Sequence, residues 1–477
     1  QGVLVAATPY LWLARDLDGD LQADSLELLL DDYGRPESNP EHNANGLLWG
    51  IDNWIHNANF GGQFRLRNGE FEMRETPMEG QWGVSMDEYG RLYRNSNEDP
   101  LRADLIPSHY ARRNPDQESV SGVYERLTPN LPVFPGRPTP AVNRGYRDRT
   151  LREDSTLAHF TAAGSPLAYI GDRLPEELRN DVFVTESAGN LVARFEIERD
   201  STGELAARAV QDGRDFLTST DQRFRPVNLA TAPDGTLYVV DMYRGIIQHR
   251  AYITGYLEQQ IRAREMEQPV GLGRIYRVVH ESAERGEQPR LSRRTPAQLV
   301  EVLSHPNGWW RDTAQRLLVE RGDASVAPAL RSLAAHAPDG RTRLHALWTL
   351  EGLDALDSAL ARELLRDQDP RVRIQALRAS ETRLAAFMAH DLLSDERFGW
   401  HSDNMIGTTP QLNDREDDWI RQNGTSLPDI QPRYYTQYSQ MVETKLGPFL
   451  TIPKPEAATI VNKVLQPAIR FKRDDCL

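Results

Sequence analysis

Cysteine occurs once in this 477-residue chain, at Cys476. One thiol excludes an internal disulfide framework, a multi-cysteine zinc site and a C-x-x-C-H haem attachment within these residues. Long apolar runs are missing as well. No window supplies the ~18 uninterrupted apolar residues that span a bilayer, and no charged stretch followed by an apolar one opens the chain. Basic blocks are absent, the formal net charge is -14 and the pI is near 5.4. Nothing offsets repulsion from phosphates, which argues against a nucleic-acid-binding surface. An initial methionine is lacking too: GVLVAATPYLWLARD begins at once as strand after Gln1, so the start reads as processed or incomplete.

What is present is a mixture of 39% hydrophobic and 26% charged residues, in a length that calls for two or more domains. Up to about Arg277 one pattern recurs, a polar turn with Asp or Gly joined to alternating aromatic and aliphatic residues. WGIDNWIHNA, VSMDEYGRLYRNS and TAPDGTLYVVDMY are clear copies, with RNDVFVTESAGNLVARFEI and GVLVAATPYLWLARD as looser ones. Each reads as two short strands around a tight turn, and Asp234-Gly235 is the strongest hairpin signal. A β-sandwich would also accommodate short strands. The mutual likeness of the copies favours propeller blades. Asp52, Asp87 and Asp234 recur at one place in these copies, which points to turn chemistry, and Trp49, Trp54 and Trp82 read as blade core.

From about Pro296 the apolar period lengthens to that of helices. RDTAQRLLVERGD, RTRLHALWTLEGL and RVRIQALRASETR share R-x-x-A, with Arg311, Arg343 and Arg373 each preceding Ala314, Ala346 and Ala376. Equal spacing with a small residue at the helix contact marks a HEAT-type solenoid, with a plain helical bundle as the alternative. The chain thus divides into a β-propeller over 1–285, HEAT-type repeats over 286–396 and an extended, loop-rich tail over 397–477.

The sharpest local motif is DLDGDLQADSLE. Asp16, Asp18, Asp20 and Asp24, the backbone carbonyl of Gln22 and a closing Glu27 follow the spacing of a twelve-residue calcium loop. Leu21 stands where such loops carry the turn glycine. An acidic surface hairpin is the plainer reading.

The stretch HNANGLLWGIDNWIH, from His42 to His56, resembles the H-x-x-G-x-L-x-x-G-x-D-x-x-I-Y segment of soluble quinoprotein glucose dehydrogenases and sorbosone dehydrogenases. That resemblance implies His42 as catalytic base. DQRFRPVNLATAPDG resembles the segment whose two arginines hold pyrroloquinoline quinone there, which implies Arg223 and Arg225 as cofactor ligands; Arg173 in YIGDRLPEE aligns with a cofactor-binding lysine. Arginines two apart on a strand point the same way, as a tricarboxylated cofactor requires. Over the whole first part the chain is similar to the large bacterial membrane-bound dehydrogenase-like proteins, which join a propeller of about six blades to HEAT repeats and often to a c-type cytochrome. The likeness implies further blades ahead of Gln1. It also implies a periplasmic or other extracytoplasmic place, membrane association through partners, and a c-type cytochrome or other protein as electron acceptor. Glu79 and Gly80 depart from it, standing where the glucose dehydrogenases have an Arg-Asn pair.

Two functions follow. In the first, a sugar or polyol hydroxyl is oxidised with pyrroloquinoline quinone and calcium, His42 taking the proton, a role that suits imidazole near neutral pH. In the second, the chain is a non-catalytic propeller and HEAT scaffold within a larger protein complex.

Overall fold

Every recurring stretch folds as an antiparallel pair of strands, because alternation puts one apolar set on a common face and an Asp or Gly turn reverses the chain. Asp52, Asp87 and Asp234 do the turn chemistry expected of them, their carboxylates accepting the backbone N–H of Trp54, of Tyr89 and Arg91, and of Thr236. The computed structural model describes residues 2–381 apart from 38, 40, 68, 114–119, 200–203, 211–212 and 285. The tail expected over 397–477, and the end of the repeat region from 382, lie outside the described residues.

Five antiparallel sheets form among the described residues, the blades of a five-bladed propeller against the six or so that the resemblance implied. Blade 1 comprises Val3–Ala7, Tyr10–Arg15 and Ser25–Leu30. Blade 2 opens with Asn45–Trp49, blade 3 with Ser85–Met86, blade 4 with Ala163–Ala168 and blade 5 with Pro226–Thr231. From blade 2 onward these opening strands line up around the axis at glycine contacts. A Cβ on Gly46 would strike Gly83, one on Gly83 would strike Ser165, and one on Gly164 would strike Val227 and Thr185. Gly46 and Gly83 both have φ of +74°, where side chains are strained in any case. The chain therefore enters these four blades at one end of the ring and turns toward each second strand at the other.

Aromatic and aliphatic side chains fill the spaces between blades. Leu11, Tyr33, Ile55 and Phe64 lie between blades 1 and 2, and Tyr93, Leu101, Phe160, Val184 and Phe195 between blades 3 and 4. Trp54 is core, as read, though its ring is flanked by Arg65 and Arg74 at 4.5 and 4.0 Å. Between the second and third strands of blade 5 the chain makes an excursion that includes helix α1 (Gly255–Ala263). Its Leu257, Ile261 and Met266 bury against Ala141.

The helical part begins where the period changes, with α2 (Pro296–Val302) and α3 (Gly308–Arg321), then α4 (Ala327–His336), α5 (Gly340–Gly352), α6 (Ser358–Leu364) and α7 (Pro370–Glu381). Ala314, Ala346 and Ala376 are all fully buried, on α3, α5 and α7. The arginine three residues before each alanine has a uniform task. Arg311, Arg343 and Arg373 each donate Nη1 to the carbonyls six and five residues back, in the turn leading into their own helix. Asn307, Asp339 and Asp369 cap the same three helices, each accepting from the backbone two residues on. R-x-x-A is thus a helix-entry device joined to a close-packing residue.

Contacts divide the chain after Leu330, so α2 and α3 belong to the propeller unit. There α3 reaches four blades at the turn end of the ring. Gln315 donates to the Ile51 carbonyl and to Asn53, Arg311 pairs with Glu88, the Gly308 N–H donates to Ile170, and Trp310 Nε1 donates to Pro233.

Candidate functional site

The opposite, strand-entry end collects most of the polar side chains singled out from the sequence. His42 is exposed, three residues ahead of the first strand of blade 2, and its Nε2 lies 3.3 Å from the Gln81 side-chain amide. Gln81 in turn accepts from the Asn97 N–H, and Trp82 Nε1 donates to the Asn97 side chain at 2.7 Å. Beside His42, the Glu41 carboxylate accepts from His249 N–H, in the excursion of blade 5. His42 therefore stands at the ring end where Arg223 and Arg225 precede the first strand of blade 5.

The two arginines do not share a direction. The strand starts only at Pro226, so its two-residue alternation does not extend back to them. Arg223 turns outward and donates to the carbonyls of Gln268 and Glu265, at 2.9 and 3.2 Å. Arg225 is buried, and its guanidinium donates to four carbonyls, those of Ser187, Ala188, Arg244 and Gly245. Burial, followed by the like charge of Arg137, pulls it down to about 10. Near it Glu186 accepts four backbone N–H groups, of Thr161, Ala162, Ala188 and Gly189, while burial pushes its carboxyl up to about 7. As an expected ligand of an anionic quinone, Arg225 does not fit, being buried with its guanidinium given to four carbonyls, while half-exposed Arg223 gives Nε and Nη2 to backbone and points away from it.

Arg173 lies at the other end of the ring. Its backbone N–H donates to Gly235, and its Nε is 3.7 Å from Asp172 in the connection between the first two strands of blade 4. Its place there separates it from His42. Gly80, with φ of +78°, lies against Arg94, and the Glu79 carboxyl is raised to about 7 by burial, then by Asp104.

The acidic loop keeps half of its expected ligand set together. Carboxylate oxygens of Asp16, Asp18 and Asp24 lie within 4.8 Å of one another on the surface. Asp16 accepts from Gly19 and Leu21 N–H, and Leu21 has φ of 68°, the left-handed conformation for which calcium loops use glycine. Asp20 accepts from the backbone and side-chain N–H of Gln22. Glu27 lies on the third strand of blade 1 and pairs with Arg15 at 3.0 Å. The donor set at Asp16, Asp18 and Asp24 suits a hard cation; Glu27 is drawn out of it by its strand position.

One feature escaped the sequence. On blade 1, cross-strand register sets Val3 and Val5 beside Ala14 and Trp12, and these beside Leu26 and Leu28. Val3, Leu26 and Leu28 are 66%, 62% and 45% exposed on that outward face. The alternation that predicted the strands was visible, but not which of its two faces would be covered.

Residues 1–282 match the model of a family described as a domain of unknown function (DUF7133), residues 296–381 match HEAT repeats, and residues 373–423 match fructosamine kinase. No curated protein matches the chain. Among solved structures it is similar to a putative oxidoreductase (glucose dehydrogenase) of Thermus thermophilus, at 15% identity over 58% of this chain and 92% of that one, with a TM-score of 0.26. A glucose dehydrogenase matches at 15% identity over 50% and 90%, TM-score 0.25, and a streptogramin B lyase at 12% over 50% and 74%, TM-score 0.19. At these scores none carries an activity over to this chain. Among the described residues no helix is long and apolar enough to cross a membrane.

Proposed function

We propose, for a chain that belongs to the DUF7133 family, that it acts as a propeller and HEAT-repeat scaffold which joins another polypeptide. The outward apolar face of blade 1 carries this reading. Contiguous exposed aliphatic side chains on a regular sheet are the mark of an interaction surface, and within this propeller the opposite face of the same sheet is covered by blade 2. The surface that fits it is another apolar sheet. A photo-crosslinking residue at Leu28, in the protein isolated from its native source, should link to a segment outside the five described blades. Links confined to those blades would remove the basis for the proposal.

A second reading, the quinoprotein dehydrogenase, is favoured by His42 alone, an exposed imidazole at the ring end where Arg223 and Arg225 also lie. His42 would take a hydroxyl proton; with Arg225 engaged by four carbonyls, pyrroloquinoline quinone keeps only Arg223 of the pair assigned to it. Periplasmic placement and a c-type cytochrome acceptor go with this second reading.

Calcium is compatible with either. Held by Asp16, Asp18 and Asp24 with the Gln22 carbonyl, it would brace blade 1, and binding to the folded state alone raises stability, by about 2.7 kcal/mol at a hundredfold excess over Kd. The melting temperature should therefore rise by several degrees from excess chelator to millimolar calcium, and an Asp16→Ala, Asp18→Ala variant should lose the rise. An unchanged melting temperature in the parent protein would reject the site.

A further inference from the structure

Arg137 and Arg264 bond side-chain amides, and neither has an ion pair with a carboxylate among the described residues. Arg137 donates to Asn190 Oδ1 at 3.4 Å and Gln222 Oε1 at 3.3 Å, both long and both to neutral amides, and Arg264 donates to Gln260 Oε1 at 2.6 Å. Gln222 closes the corner between them. It neighbours Arg223, whose Nη2 donates to the carbonyl of Glu265, the residue after Arg264. Its own side-chain nitrogen is buried and has no hydrogen-bond acceptor. A buried amide without a partner costs about 1–3 kcal/mol, so an acceptor is wanted at that place.

We propose that Arg137, Arg264 and Gln222 bind the oxyanion of a small solute, a carboxylate, sulfate or phosphate group. Guanidinium groups present N–H pairs at the spacing of such oxygens, and the Gln222 amide supplies a further donor. The electrical setting agrees: burial and then the like charge of Arg264 lower Arg137, with Asp221 opposing. Asp221 is committed locally, accepting the Arg223 N–H at 2.9 Å. Arg225, behind the corner, adds positive charge while its own donors are engaged with carbonyls. The site lies at the strand-entry end, and it depends on neither functional reading above.

Calorimetric titration of the whole chain with sodium sulfate, sodium phosphate and sodium citrate, at constant ionic strength in chloride, tests the site. Saturable binding of at least one probe is expected, weakened about tenfold or more by Arg137→Gln and by Arg264→Gln. The probe that binds most tightly tells a tetrahedral oxyanion from a planar carboxylate. Should Arg137→Gln fail to fold, Arg264→Gln, on the half-exposed end of α1, decides the matter. Absence of saturable binding by all three probes, or affinity unchanged in the folded variants, would overturn the proposal.

Discussion

Replacing Glu88 by alanine should destabilise the propeller unit by about 3–5 kcal/mol, the cost of leaving a buried charge without its partner. Glu88 sits in the first turn of blade 3 with its side chain 1% exposed, and receives Arg311, Arg179 and the Asn180 amide. Arg311 is itself buried at 2%, so loss of the carboxylate strands a guanidinium in the interior beside Arg179. Chemical unfolding followed by tryptophan fluorescence checks this, with Glu88→Gln, which keeps an acceptor oxygen, falling between parent and alanine. A loss below 1 kcal/mol would mean that α3 is not held through this residue.

Arg225→Met should cost about 3 kcal/mol or more in the protein without any ligand, since several buried carbonyls lose their donor at once. Methionine retains the bulk of the aliphatic stem, so the loss reports hydrogen bonds in place of packing. The outcome also separates two roles for this arginine. A residue reserved for a cofactor would leave the free protein as stable as the parent when replaced; one that ties blade 4 to blade 5 would not. Thermal or urea unfolding of the free protein is sufficient to distinguish them.

Much of the architecture was legible in the sequence because it is locally determined. Alternation, Asx turns and the R-x-x-A period act within a dozen residues, and Leu21 could be matched to a left-handed turn position by counting along a loop. The partner of Arg311 could not be read that way, lying 223 residues distant. Arg225 misled for a related reason: a structural arginine and a ligand arginine share the same preceding turn, and only burial against four carbonyls tells them apart. The Arg137 and Arg264 corner gave no signal, since its members come from separate segments that meet only after the ring is built.

Helix α3, tied to four blades at one end of the ring, couples those blades in time as well as in space. No single turn among 51–53, 88, 170 and 232–233 can open without breaking a bond to a helix that the others still hold. Local opening there becomes a collective event, and these amides should exchange with solvent at one shared rate set by departure of the helix. The strand-entry end lacks that link to α3, so the ring breathes from one side.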